Sequence, residues 1–179
     1  MNYNDLSILL HSNIALIVLE TFDESRALSL LQKYFREQGI PAWRWSCTDG
    51  MQPLGFGLQI EERDNQSKPE DMLVFIKKHQ KTSAFALCDL HPYLDEPRMV
   101  RLLKDIALNQ MAASHKVVLI SHQLKLPPEI ARYSAVLQMS LPTEEEILTI
   151  IREEAKYWSD RNNGQRIKTD NATLQKLVN

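Results

Sequence analysis

The stretch Ala15-Leu16-Ile17-Val18-Leu19-Glu20-Thr21-Phe22-Asp23-Glu24 decides how this chain is read. Ala15 to Glu20 is a short apolar run, the pattern of a strand buried on both faces. It passes straight into Ala27, Leu28, Leu30, Leu31, Tyr34 and Phe35, whose spacing predicts an amphipathic helix stopped by Gly39. In α/β proteins that bind nucleotides, such a first strand-to-helix junction holds a glycine-rich loop, and the free amides of the helix start cradle phosphate. This junction has no glycine and no lysine, and it carries Glu20, Asp23 and Glu24. Thr21 and Glu24 have the spacing of a capping box, which predicts a helix start that satisfies its own donors. An acidic, self-capped helix start repels phosphate.

Working outward, strand-like runs alternate with helical patterns. Residues 42–47 alternate with period two and close at Asp49-Gly50. Residues 83–88, 116–120 and 135–139 are further apolar runs. Leu54, Phe56, Leu58 and Ile60 also alternate, but Gly55 and Gly57 argue against a strand there, and Glu61 to Lys68 reads as a polar loop. Pro69 opens a helix through Met72, Leu73, Phe75 and Ile76. Asp95 and Pro97 open another, with Met99, Val100, Leu102, Leu103, Ile106 and Ala107 inward, and Pro127-Pro128-Glu129 starts a short turn. Five strands separated by helices predict an α/β fold: a mainly parallel sheet covered on both faces.

After Leu141-Pro142 the pattern changes. Thr143 and Glu146 form a second capping box, and Ile147, Ile150, Ile151, Ala155 and Trp158 make one apolar stripe. Ser159 to Lys168 reads as a loop, and Thr169 or Asp170 caps a helix with Leu174, Leu177 and Val178. That stripe is cut off at residue 179, which predicts a fragment of a longer polypeptide. The expected division is an α/β domain at 1–141 and an incomplete helical unit at 142–179.

Composition narrows the function classes. At 44% hydrophobic and 25% charged, the chain can build a core. A net charge of −2 without a basic block does not suggest nucleic acid or an anionic membrane as partner. Cys47 and Cys88 belong to no CxxC, which argues against a zinc site and suits a reducing cytosol. No apolar run reaches membrane-spanning length, and no signal-peptide layout opens the chain, so an intracellular, cytoplasmic protein is expected.

Few residues invite a chemical role. Asp89 directly follows an apolar strand, the position of the carboxylate that holds Mg²⁺ in P-loop NTPases; the same aspartate can simply cap a turn, and residue 90 is leucine rather than glutamate. Ser121 and His122 end the next strand, where a polar side chain can sense a terminal phosphate, although a serine there is common anyway. His91 and His122 follow adjacent strand ends and can approach each other, giving a strand-end small-molecule site as one reading and a solvent-facing role as the other. Trp43 and Trp45 share a strand face around Arg44; nucleic-acid stacking is conceivable, but a core or subunit contact explains them better.

The order of these elements resembles an AAA+ ATPase module. Val117 to Ser121, then Leu126-Pro127-Pro128-Glu129-Ile130, then Leu141-Pro142-Thr143-Glu144-Glu145-Glu146-Ile147 match its second half. There a strand ends in a sensor residue, a short helix follows, and a last strand leads to a leucine-proline and an acid-capped lid helix. More narrowly, Ile17-Val18-Leu19-Glu20-Thr21, Trp45-Ser46-Cys47-Thr48-Asp49-Gly50, Asp89-Leu90-His91-Pro92-Tyr93-Leu94 and Leu124 to Glu129 are similar to the N-terminal region of an AAA-type ATPase family of algal plastids and cyanobacteria. The resemblance implies strand order 5-1-4-3-2, a degenerate phosphate loop at residues 20–26, and a partial lid at 142–179. It implies no catalytic, cofactor or metal residue here, and ATP with Mg²⁺ in a second module of the longer parent. It further implies self-association of that parent, an unidentified protein partner, a cyanobacterial-cytosol or plastid-stroma location, and a link to photosynthesis or inorganic-carbon use. Arg132 lies where an arginine finger would be sought, but no matching motif surrounds it and no role is assigned. The expected function is a non-catalytic AAA-like domain serving assembly, regulation or partner recruitment. The alternatives are an ATP-binding domain that uses non-standard residues such as Asp89, and the strand-end small-molecule site.

Overall fold

The computed structural model describes residues 3–55, 66–109, 114–139 and 144–162. Two compact units divide the chain, Met1–Met139 and Ser140–Asn179. The first is a sheet with helices on both faces. Its strands are β1 (Leu16–Glu20), β2 (Ala42–Ser46), β3 (Gly50–Pro53), β4 (Ala84–Cys88), β5 (Lys116–Ser121) and β6 (Ser134–Gln138). Its helices are α1 (Tyr3–His11), α2 (Glu24–Glu37), α3 (Pro69–Lys78), α4 (Pro97–Leu108) and α5 (Pro128–Ala131), with a 3-10 turn at His91–Tyr93.

The strand order is β3-β2-β4-β5-β1-β6. Every pairing is parallel except β2 with β3. The five expected strands therefore stand in the expected order, and the sheet gains a sixth, antiparallel strand at its β2 edge. Asp49-Gly50 does not end the second strand region; it turns the chain back on itself. Gly50 sits at φ 68°, where a side chain would be strained, and Ser46 pairs with Gly50 across the turn. The alternating residues at 56, 58 and 60 lie outside the described residues.

Period two sorts the core into two layers. Leu16, Val18, Phe85, Leu87, Val117 and Leu119 face α3 and α4. Ile17, Leu19, Val118 and Ile120 face α1 and α2, joined there by Ala84, Ala86 and Cys88. The small side chains of β4 let α2 sit close, while the larger ones fill the opposite layer. The sequence reading does not predict α1: Leu6 and Leu10 are buried and Tyr3 and Leu9 pack beside them, but the exposed Ile8 blurs this stripe.

Helix ends follow local chemistry. α2 is capped by Asp23, whose carboxylate accepts the Arg26 amide at 3.0 Å, and not by Thr21 with Glu24. Thr21 Oγ1 instead accepts the Asp23 amide at 2.9 Å, a local turn that shifts the helix start two residues onward. At the other end, Gly39 at φ 65° receives a Schellman turn: Ile40 N–H donates to the Phe35 carbonyl and Gly39 N–H to that of Arg36.

The second unit contributes α6 (Glu144–Arg161). It runs past the expected loop start at Ser159, because residues 159–161 continue the helical hydrogen bonding up to Asn162, whose amide donates to the Trp158 carbonyl at 3.0 Å. Ile147, Ile151 and Ala155 are half-buried, and Trp158 is exposed. The expected cap at Thr143 and the helix containing Leu174, Leu177 and Val178 lie outside the described residues.

Candidate functional site

The carboxyl ends of β1, β4 and β5 lie side by side, and α2 leaves β1 onto one face while the helices after β4 and β5 pack on the other. This change of side between β1 and β5 opens a crevice in which parallel α/β sheets bind ligands. Here a cavity of about 350 Å³ is lined by Thr21, Phe22, Glu24, Asp89, Ser121 and His122, with Ile120 at its base. No lysine or arginine is among its described lining residues.

The strand-end residues singled out in the sequence converge here. Thr21 N–H donates to the Ser121 carbonyl at 2.8 Å, and Asp89 N–H to the Ile120 carbonyl at 3.0 Å, extending the sheet past its last paired residues. Ser121 is buried; its hydroxyl donates to the Gln123 carbonyl at 3.2 Å and sits 2.9 Å from His91 Nδ1. With its proton committed to Gln123, Ser121 Oγ accepts from His91 Nδ1–H. Asp89 Oδ1 lies 3.7 Å from the same nitrogen. Serine and aspartate thus address one ring nitrogen, whereas a nucleophile–base–orienter relay needs both. His91 and His122 do meet, their rings edge to face at 5.2 Å. Among the described residues, no group of three or more His, Cys, Asp or Glu side chains could hold a metal ion.

Asp89 holds φ 51°, a left-handed conformation that aspartate tolerates better than most residues. Its side chain is 63% exposed, while the neighbouring Leu90 is buried in the core. Phe22, which carries no periodic signal in the sequence, is 92% exposed and lies 5.6 Å from the His122 ring. Only position could have revealed it, since an aromatic in a polar three-residue turn has no periodic partner.

The three acids expected at the helix start take different roles. Glu20 reaches away from it: its carboxylate accepts the Leu124 amide at 3.3 Å and the Gln138 side-chain amide at 3.0 Å, tying the loop beyond β5 to the end of β6. Asp23 caps α2. Glu24 lies near the Cys88 thiol, whose pKa is pushed up to about 12, chiefly by burial and then by this carboxylate. Trp45 is buried and donates its indole N–H to the Gln66 carbonyl at 2.6 Å, and Trp43 packs on the same core, so both serve the fold. Arg132 lies over the Tyr133 ring at 5.5 Å.

A parallel sheet in this order, with a strand-end crevice, defines the chain as an AAA+-type α/β module. Residues 3–139 match the family described as the SpoVK-like AAA ATPase, N-terminal domain, and the chain belongs to that family. It is 24% identical over 151 residues to the AAA domain-containing protein ycf46 of the alga Trieres chinensis, covering 82% of this chain and 30% of that protein. Among solved structures it is similar to AMPPCP-bound DnaA from Aquifex aeolicus, with a TM-score of 0.57, 11% identity, and 98% of this chain on 54% of that one. It is also similar to the replication initiator DnaA bound to AMPPCP and single-stranded DNA, with a TM-score of 0.59, 12% identity, and 98% of this chain on 53% of that one. At these identities the likeness is one of fold. The chain spans less than a third of the curated relative's length and about half of each structural one. Among the described residues, no helix is long and apolar enough to cross a membrane.

Proposed function

We propose that this chain is a non-catalytic AAA-like domain of a longer AAA ATPase, and that it serves assembly, regulation or partner recruitment. One observation carries the reading. The Arg26 amide at the start of α2 is taken by Asp23, and the Asp23 amide is taken by Thr21, so two of the donors at this junction are held by its own side chains. The cavity beside them is lined by Glu24 and Asp89, with no lysine or arginine among its described lining residues. A triphosphate would bring several negative charges against two carboxylates there, and the residues present do not fit it. Nucleotide chemistry then belongs to a second module of the parent, with ATP and Mg²⁺ as its cofactors. The same reading puts the parent in the cyanobacterial cytosol or plastid stroma, self-associated, with a role in photosynthesis or inorganic-carbon use.

Calorimetry of this chain with ATP and Mg²⁺ tests the proposal. The expected outcome is no saturable heat at micromolar nucleotide. Tight, Mg²⁺-dependent binding that is lost in Asp89→Asn would replace this reading with that of an ATP-binding domain using non-standard residues.

A further inference from the structure

Phe22 stands at the tip of the turn between β1 and α2, almost wholly outside the core. The turn is pinned on both sides of it: Thr21 N–H donates to the Ser121 carbonyl, and Thr21 Oγ1 accepts the Asp23 amide. The Phe22 ring lies against that of His122 with the two planes tilted by 30°, and His122 meets His91 edge to face. The exposed ring adds little to the stability of this fold, and its pinned turn leaves a partner little ordering to do.

Phe22 and His122 line the same cavity as Glu24 and Asp89. At about 350 Å³ it lies at the small end of ligand pockets, the size for one side chain. Among the described residues neither carboxylate is ion-paired with a lysine or arginine. Asp89 Oδ1 lies 3.7 Å from His91 Nδ1, whose hydrogen goes to Ser121, and Glu24 lies near the buried, neutral Cys88 thiol. The cations in the neighbourhood are placed elsewhere. Arg44 is paired with Asp49 at 3.4 Å, and Lys125 lines the adjoining concavity. Arg26 stands one turn into α2 and is not among the described lining residues. Even counting Arg26, and about half a unit of positive charge from the start of α2, the carboxylates of Asp23, Glu24 and Asp89 leave the balance here negative.

We infer that this cavity takes an arginine side chain of a protein partner, its guanidinium laid on the Phe22 ring and hydrogen-bonded to Glu24 and Asp89. The inference rests on the partner-recruitment reading and gives it a surface and a chemistry. An aromatic face attracts a cation, and carboxylates beside it accept the cation's N–H donors. Arginine suits this pairing better than lysine, because the guanidinium is planar, stacks on rings and is more weakly hydrated than an ammonium.

The test is an amide NMR titration of the full 179-residue chain with a short Gly-Ser peptide, blocked at both ends, that carries one arginine. Counterparts with lysine or with citrulline (the uncharged isostere) in its place, and free arginine, run alongside. Saturable shifts centred on Thr21–Glu24, Asp89 and His122 are expected with the arginine peptide, several-fold weaker with lysine and absent with citrulline. Affinity should fall about tenfold in Glu24→Gln/Asp89→Asn and about threefold in Phe22→Ala. Glu70→Gln/Asp71→Asn, the same loss of charge at the start of α3, should leave it unchanged. The three cavity positions are exposed, and the spectrum of each free variant separates a lost site from a lost fold. The inference is overturned by the absence of saturable shifts at these residues, by equal binding of the lysine or citrulline peptide, by unchanged affinity in Glu24→Gln/Asp89→Asn, or by tighter binding of free arginine than of the peptide. ATP with Mg²⁺ added to the same sample keeps the two readings apart: nucleotide binding at the crevice would defeat the non-catalytic reading, whereas failure of the arginine peptide alone would defeat only this inference.

Discussion

The two cysteines show how placement rather than residue type sets reactivity. Cys88 ends β4 inside the core, and burial with the Glu24 carboxylate beside it pushes its pKa up to about 12. The thiolate is the reactive form, so Cys88 is inert near neutral pH. Cys47 lies exposed in the turn between β2 and β3. A thiol reagent such as DTNB at neutral pH should titrate one thiol per chain in the native protein and the second only after unfolding. Rapid labelling of both in the folded state would contradict the buried, carboxylate-facing position of Cys88. The linkage has a sign. A thiol whose pKa is raised on folding favours the folded state at alkaline pH less and less, so its stabilising contribution is present through neutral pH and is lost as pH rises from about 8.5, its unfolded value, towards 12.

At the scale of an element, α2 carries both the fold and the functional argument. Its core face is Ala27, Leu31, Tyr34 and Phe35, its start is capped by Asp23 and its end by Gly39. Asp23→Ala removes the acceptor for the Arg26 amide and should cost about 1 kcal/mol, read as a lowered midpoint in urea without a change in slope. The same variant should not create ATP binding, because the junction still lacks the glycines that let a backbone wrap a phosphate. An Asp23→Ala chain that acquires nucleotide affinity would show that the cap itself, rather than the loop geometry, had been the obstacle. A neutral stability result would place the helix start elsewhere.

In the α/β unit, stability is concentrated at the centre of the sheet. β1, β4 and β5 are flanked by strands on both sides and buried on both faces, whereas β3 and β6 lie at the edges and Val136 on β6 is half-exposed. Amide exchange should therefore be slowest in Leu16–Leu19, Phe85–Leu87 and Val117–Ile120, and much faster along β3 and β6. Mass-spectrometric or NMR exchange measures this directly. Uniform protection across all strands of the sheet would mean that the edges are covered by something outside this unit.

Much of this was legible in the chain because it rests on local periodicity. Continuous apolar runs at 15–20, 83–88 and 116–120 mark strands buried on both faces, and 3.6-residue stripes mark α2, α3 and α4, since neither pattern has another cheap explanation. Gly39 as a helix stop is equally local. Three features were not legible. β3 is short, and its only signal, Asp49-Gly50, marks a strand end as readily as a hairpin turn. α1 packs Tyr3, Leu6, Leu9 and Leu10 on the core, but the exposed Ile8 beside them blurs the stripe in the sequence. The capping residue depended on which of Thr21 and Asp23 reached the amides first, a choice made by how β1 hands the chain to α2. The site divides in the same way. The residue types at the strand ends, acids without glycine or lysine, are a property of the sequence alone. The meeting of His91 with His122 and the turning of Glu20 away from the helix start exist only in the tertiary structure. Each brings together residues far apart in the chain, and the packing of helices on a twisted parallel sheet sets which of them share a surface.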